Sequence, residues 1–166
     1  PAPAVLNPSV AYDPGMEAVL LFGGTTNDLQ NSTWSWNGTT WTQLEPQTSP
    51  SPRWGAAMAY DPENEEMVLS GGIGENMGFA DTWTWNGTNW NQESPANNPP
   101  LSFANPMAFS PASGSVIKLA GNDAEGKRIY HQDAAMRAAM VHLIGDRDNN
   151  VAYGVESFMA NLLYAF

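Results

Sequence analysis

Apolar and polar positions alternate along two stretches of the chain in almost the same letters. Thr33 to Leu44 reads TWSWNGTTWTQL, and Thr82 to Glu93 reads TWTWNGTNWNQE. In each, runs of Trp and Thr flank an Asn-Gly pair, the strongest short-range signal for a tight turn between two strands. The spacing predicts a type I′ turn, with positive φ at both central residues, at Asn37-Gly38 and at Asn86-Gly87. Side chains alternate along a strand with a period of two, so a loop of two or four residues places Trp34, Trp36 and Trp41 on one face of the ribbon. Trp83, Trp85 and Trp90 repeat the arrangement. Thr33, Ser35, Thr40 and Thr42 fall on the other face, which their chemistry suits to a wet or partly covered surface.

Each hairpin follows a second repeated pattern. VAYDPGMEAVLLFGG (Val10 to Gly24) reads as a short strand, an Asp-Pro-Gly turn, an apolar strand and a glycine doublet. MAYDPENEEMVLSGG (Met58 to Gly72) and MAFSPASGSVIKLAG (Met107 to Gly121) repeat it. Tyr12, Tyr60 and Phe109 mark equivalent positions in the three copies, just under fifty residues apart. A period of about 50 residues with four short strands per unit is the signature of a propeller-type array.

On these residues the stretch 9–121 resembles the kelch repeats of a β-propeller. The resemblance rests on the doublets Gly23-Gly24 and Gly71-Gly72, the aromatics Trp36 and Trp85, and Trp41 and Trp90 five residues after them. PSPRWGAAMAYD, around Arg53, opens the next unit. The third unit keeps Ala120-Gly121 in place of the doublet and lacks the tryptophan hairpin. The fold class expected is therefore mainly β, two full blades and one partial blade, over residues 1–121. Propellers close with about four to eight blades, so the expectation includes either self-association, with two chains supplying about six blades, or a tail that caps the open face. An unclosed array would leave strand edges and an apolar face in water.

Residues 122–166 change character and are expected to form a helical tail. Asp133 to Ile144 is rich in Ala and Met, with an N-cap candidate at Asp133 and Gly145 behind it. Val155, Phe158, Met159, Leu162, Leu163 and Phe166 make the apolar stripe of a second helix. The loop between them carries Asp146, Asp148, Asn150 and Glu156, and it resembles the acidic loops of thrombospondin type 3 or dockerin calcium repeats. Calcium takes six to eight oxygens, which alternate acidic positions can supply. Here Glu156 stands at position 11 instead of 12, and Val151 replaces the usual glycine. The other reading makes these residues caps of the second helix, opposing its dipole. Calcium is the one cofactor the sequence suggests.

Charge and composition narrow the classes. A net charge of -11, with only six Lys and Arg, argues against nucleic acid, whose phosphates are bound by clustered cations, and against an anionic membrane surface. No apolar run reaches the roughly 18 residues a membrane span needs. There is no cysteine, which removes disulfides, thiolate zinc sites and cysteine nucleophiles together. The kelch family includes a copper radical oxidase whose cofactor needs a cysteine cross-linked to a tyrosine, and that chemistry is excluded with them. The acidic, lysine-poor, Asn- and Thr-rich composition suits an exported protein, extracellular or secreted. Asn31, Asn37 and Asn86 stand in glycosylation sequons, two of which coincide with the turn signals.

Catalytic motifs are absent: no nucleophile elbow, phosphate loop or zinc helix motif appears, and no catalytic residue is assigned. His131 and His142 have no identifiable partners. Asp61, Glu63, Glu65, Glu66 and Asp81 could supply paired carboxylates, though such residues at turns are ordinarily solvated. The hairpin tryptophans read as packing first and as a sugar-stacking platform second. Arg53 and Trp54, outside the hairpins, are the candidate ligand-binding pair: the guanidinium fork can hold a carboxylate and the indole can stack. The alternative has Arg53 bonding loop carbonyls near the axis. The functional expectation is a non-enzymatic extracellular interaction or assembly module, self-associating or binding a protein or glycan partner. The competing expectation is a carbohydrate-active enzyme using carboxylates from several loops.

Overall fold

The computed structural model describes residues 2–94 and 103–118, all within the first of the chain's two units, Pro1–His131. Every element among them is a β-strand, and every strand pairing is antiparallel. The first sheet comprises β1 (Ser9–Asp13), β2 (Ala18–Phe22), β3 (Thr33–Trp36) and β4 (Trp41–Leu44), side by side in chain order. The second repeats it with β5 (Ala57–Asp61), β6 (Glu66–Ser70), β7 (Thr82–Trp85) and β8 (Trp90–Glu93). A two-stranded sheet follows, β9 (Met107–Ser110) with β10 (Ser115–Lys118). The first strands are neighbours, β1 beside β5 and β5 beside β9. The helices expected at 133–144 and 155–166 lie outside the described residues.

Local chemistry accounts for each turn. Asp13 Oδ1 accepts the backbone N–H groups of Gly15 and Met16 at 2.9 and 3.1 Å. Asp61 Oδ1 does the same for Glu63 and Asn64. Each turn ends in a left-handed residue, Glu17 (φ 49°), Glu65 (φ 54°) and, in the third unit, Gly114 (φ 60°). The tryptophan hairpins differ from the expected type I′ turn. Their loops are four residues long, because Trp36 pairs with Trp41 and Trp85 with Trp90. Only Gly38 and Gly87 have positive φ, 92° and 91°. The Asn side chain closes the loop instead: Asn37 Oδ1 accepts from the backbone of Thr39 and Thr40, and Asn86 Oδ1 from Thr88 and Asn89. An Asx-turn of this kind satisfies the loop's donors without forcing asparagine into a left-handed conformation.

Register sorts the faces. In the first sheet two cross-strand rows share one side, Val10–Leu21–Trp34–Gln43 and Tyr12–Val19–Trp36–Trp41. In the second the equivalent rows are Met58–Leu69–Trp83–Gln92 and Tyr60–Met67–Trp85–Trp90. The core lies between the sheets, where this side of the second sheet meets the opposite side of the first. Leu20 and Phe22 pack there against Met58, Met67, Leu69, Trp85 and Trp90. Phe22 meets Trp90 edge-on at 5.2 Å, a favoured aromatic geometry. Trp90 Nε1 donates to Thr33 Oγ1 at 2.9 Å, and Trp85 Nε1 reaches the Met16 sulfur at 3.3 Å. Thr33 is therefore fully buried, while Ser35 is half-buried and Thr42 exposed on the same face: the Thr33 hydroxyl accepts the indole N–H that burial of Trp90 would otherwise orphan.

Candidate functional site

The strand ends carrying both glycine doublets converge on one segment, Ser51 to Gly55. Gly23, Gly24, Gly71 and Gly72 all have positive φ, and at Gly23, Gly24 and Gly72 a side chain would meet backbone at 3.0 Å or less. A Cβ on Gly23 would stand 2.5 Å from the Arg53 carbonyl oxygen, and one on Gly72 3.0 Å from that of Trp54. The close approach lets backbone bind backbone: Gly24 N–H donates to Arg53 O at 2.9 Å, and Trp54 and Ile73 exchange bonds of 3.0 and 2.9 Å. The doublets thus hold the Arg53-Trp54 segment between the two sheets.

Arg53 and Trp54 have different surroundings. The Arg53 guanidinium is buried, 1% exposed. Its Nε donates to Ser51 O, Nη1 to Gly71 O and Asp81 Oδ1, and Nη2 to Asp81 Oδ2 at 2.8 Å. It also lies 3.9 Å over the Phe79 ring. Four of the five N–H groups of the fork are bonded to the chain itself, two of them to the carbonyls of Ser51 and Gly71 and two to the Asp81 carboxylate. Asp81 additionally accepts Trp83 Nε1 at 2.8 Å. Burial alone would raise the Asp81 pKa, but the hydrogen bonds from Arg53 and Trp83 outweigh it and hold the carboxyl below its ordinary value. Arg53 is a positioning residue for the loops.

Trp54 is half-buried and lines a cleft of about 660 Å³, within the range of small-ligand sites. One wall is the β2–β3 loop with Asn27, Asp28 and Leu29, and the other is the β6–β7 loop with Glu75, Asn76, Met77 and Phe79. Ser51, Pro52 and Trp54 join them. Met77 is 64% exposed at the mouth, and Trp54 leans edge-on against Phe103 at 5.6 Å. The cleft thus offers aromatic and thioether surface beside two carboxylates and two amides. Arg53 and Asp81 fix its second wall from below through Gly71 and Phe79.

Of the residues singled out in the sequence, Trp54 reaches this cleft. Asp28, Glu75, Met77 and Phe79 were not anticipated. The available signal was a large apolar pair, Met77 and Phe79, inside the glycine-rich loop GGIGENMGFAD. Asp61 is engaged in its turn, and burial raises the pKa of Glu66. Among the described residues no group of three or more His, Asp or Glu could hold a metal. The calcium candidates Asp146, Asp148, Asn150 and Glu156, and both histidines, lie outside the described residues. No helix among the described residues is long and apolar enough to cross a membrane. No protein-family model matches the chain, and no curated protein matches it.

Proposed function

We propose that the chain is a non-enzymatic, extracellular interaction module built on kelch-like propeller blades, and that its loop cleft takes a glycan partner. The single observation that carries the reading is the lining of the cleft. Trp54 and Met77 supply apolar surface of the kind that covers the C–H face of a pyranose ring. Asp28, Glu75, Asn27 and Asn76 supply carboxylate and amide groups that can each bond adjacent hydroxyls. The blade assignment is supported by the two four-stranded units in chain order and by the repeated doublets. The test is isothermal titration against a panel of neutral and amino-sugar oligosaccharides. Binding that weakens at least tenfold in Trp54→Ala, with the fold intact, supports the reading; no binding across the panel refutes it.

The competing reading, a carbohydrate-active enzyme, draws on one feature: Asp28 and Glu75 reach the cleft from different loops, as paired catalytic carboxylates would. Its test is product analysis after prolonged incubation with the bound sugar. New reducing ends that vanish in Asp28→Asn or Glu75→Gln would replace the binding reading with the catalytic one.

A further inference from the structure

The charged side chains of the loop cleft are of one sign. Asp28 stands on the β2–β3 loop and Glu75 on the β6–β7 loop, both exposed, and among the described residues no lysine or arginine lines the cleft with them. Arg53 lies between two lining residues in the chain, Pro52 and Trp54, yet its guanidinium is 1% exposed, stacked on Phe79 and paired with Asp81. The two cleft carboxylates also differ from those at the other ends of the strands. Asp13 and Asp61 use their carboxylates to close their own turns. Asp28 closes its loop through its backbone carbonyl, which accepts from Thr26 N–H and from Gln30 Nε2 at 3.0 Å in each case. The β6–β7 loop is closed by backbone bonds from Gly74 N–H to Met77 O and from Phe79 N–H to Gly72 O. Neither loop needs its carboxylate for its own shape.

We infer that the glycan taken by the cleft carries a free amine: an amino sugar without an N-acetyl group, its ammonium held by the Asp28 and Glu75 carboxylates. The inference rests on the glycan reading of the cleft and narrows it to one class of sugar. An ammonium offers only donors and an ionised carboxylate only acceptors, so the two are matched, and bonds between them are stronger than those between neutral groups. Two carboxylates brought to one cleft on a chain of net charge -11 repel each other, and a cationic ligand offsets that repulsion. A uronic acid or a sulfated sugar finds no lining cation and two groups of its own sign. An N-acetylated sugar presents one amide N–H and a carbonyl oxygen, a second acceptor facing acceptors. The Trp54 indole adds an attraction for a cation that lies over its face.

Loss of the charge-assisted bonds on acetylation should weaken binding at least about tenfold. The cleft is open to water at its mouth, so the preference should narrow as salt rises.

Isothermal titration of the full chain at about pH 6, where an amine of this kind is protonated, tests the inference. The probes are oligomers of equal length made of glucosamine, N-acetylglucosamine, glucose or galacturonate, with spermine as a cation that has no sugar ring. The expected order places the glucosamine oligomer at least about tenfold ahead of the acetylated and glucose oligomers, with galacturonate not binding. Asp28→Asn and Glu75→Gln, both at exposed positions, should each narrow that ratio by at least about threefold. Glu17→Gln removes the same charge at the opposite end of the strands, on the exposed β1–β2 turn, and should leave the ratio unchanged. Acetylated or glucose oligomers that bind as tightly as the glucosamine oligomer overturn the inference and leave the glycan reading of the cleft standing. No binding by any oligomer overturns both. Spermine that binds as tightly as the glucosamine oligomer, or a ratio that narrows equally in Glu17→Gln, overturns the inference as well, since charge alone would then account for the binding.

Discussion

Removing Arg53 alone should be far more damaging than replacing the whole Arg53–Asp81 pair. Arg53→Ala leaves the Asp81 carboxylate, 18% exposed, with Trp83 Nε1 as its only remaining side-chain donor among the described residues. It also uncovers Phe79. An unpaired buried charge of this kind costs roughly 3–5 kcal/mol, and the partial exposure of Asp81 places the expectation near the lower figure, about 3 kcal/mol. For a domain of this size that lowers Tm by about 10 °C. The first unit shows how to replace the pair: its equivalent positions are Val5 and Ser32, and Ser32 Oγ accepts Trp34 Nε1 at 3.1 Å. The double variant Arg53→Val, Asp81→Ser copies that solution and should lie within about 1.5 kcal/mol of the parent, since apolar replacements of buried pairs are often near neutral. Urea unfolding of both singles and the double gives a coupling energy of at least about 2 kcal/mol. The pH dependence has a definite sign. Asp81 is held below its ordinary pKa of 3.8, so its contribution is present above the unfolded pKa and is lost as pH falls through the lower folded value. Without Arg53, burial raises that pKa, and the deficit of Arg53→Ala should narrow toward pH 4 as the carboxyl protonates. A double variant as unstable as the sum of the singles would refute the reasoning.

Gly23→Ala should cost more than about 2 kcal/mol, because the new Cβ would stand 2.5 Å from the Arg53 carbonyl at φ 66°; the shift in urea midpoint reads it. Glu65→Gly should stabilise by about 0.5 kcal/mol, relieving a left-handed residue where the third unit already has Gly114; a loss in the same assay would count against the strain. Burial lowers the Lys118 pKa to about 8, with Asp81 opposing. Between pH 8 and the unfolded value of 10.5 the unfolded chain therefore binds more protons, and stability should rise with pH over that window. Lys118→Met should flatten the rise, as a pH series of melting curves would show.

What was legible in the sequence was local. The Asp-Pro turns, the hairpin ends and the alternation of the tryptophans follow from residues a few positions apart, and the register places Trp34, Trp36 and Trp41 together as parity requires. Parity cannot say which side another sheet will cover. That depended on Trp90 finding the Thr33 hydroxyl 57 residues away, so one hydroxyl of the polar face became part of the core. The site was less visible for the same reason. Its cleft combines three segments, 25–29, 51–54 and 74–79, that become neighbours only when the sheets pack. Arg53 looked available because its partner Asp81, 28 residues on, belongs to the far end of the next loop.

The seven tryptophans provide seven indole N–H reporters for the central claim that the loop cleft is the ligand site. In a heteronuclear NMR titration with the tightest oligosaccharide from the panel, the Trp54 indole should move together with the side-chain amides of Asn27 and Asn76. The indoles of Trp83, Trp85 and Trp90, buried or tied within the second sheet, should stay in place. Shifts confined to Trp36 and Trp41, or no shift at Trp54 at saturating sugar, would contradict the account.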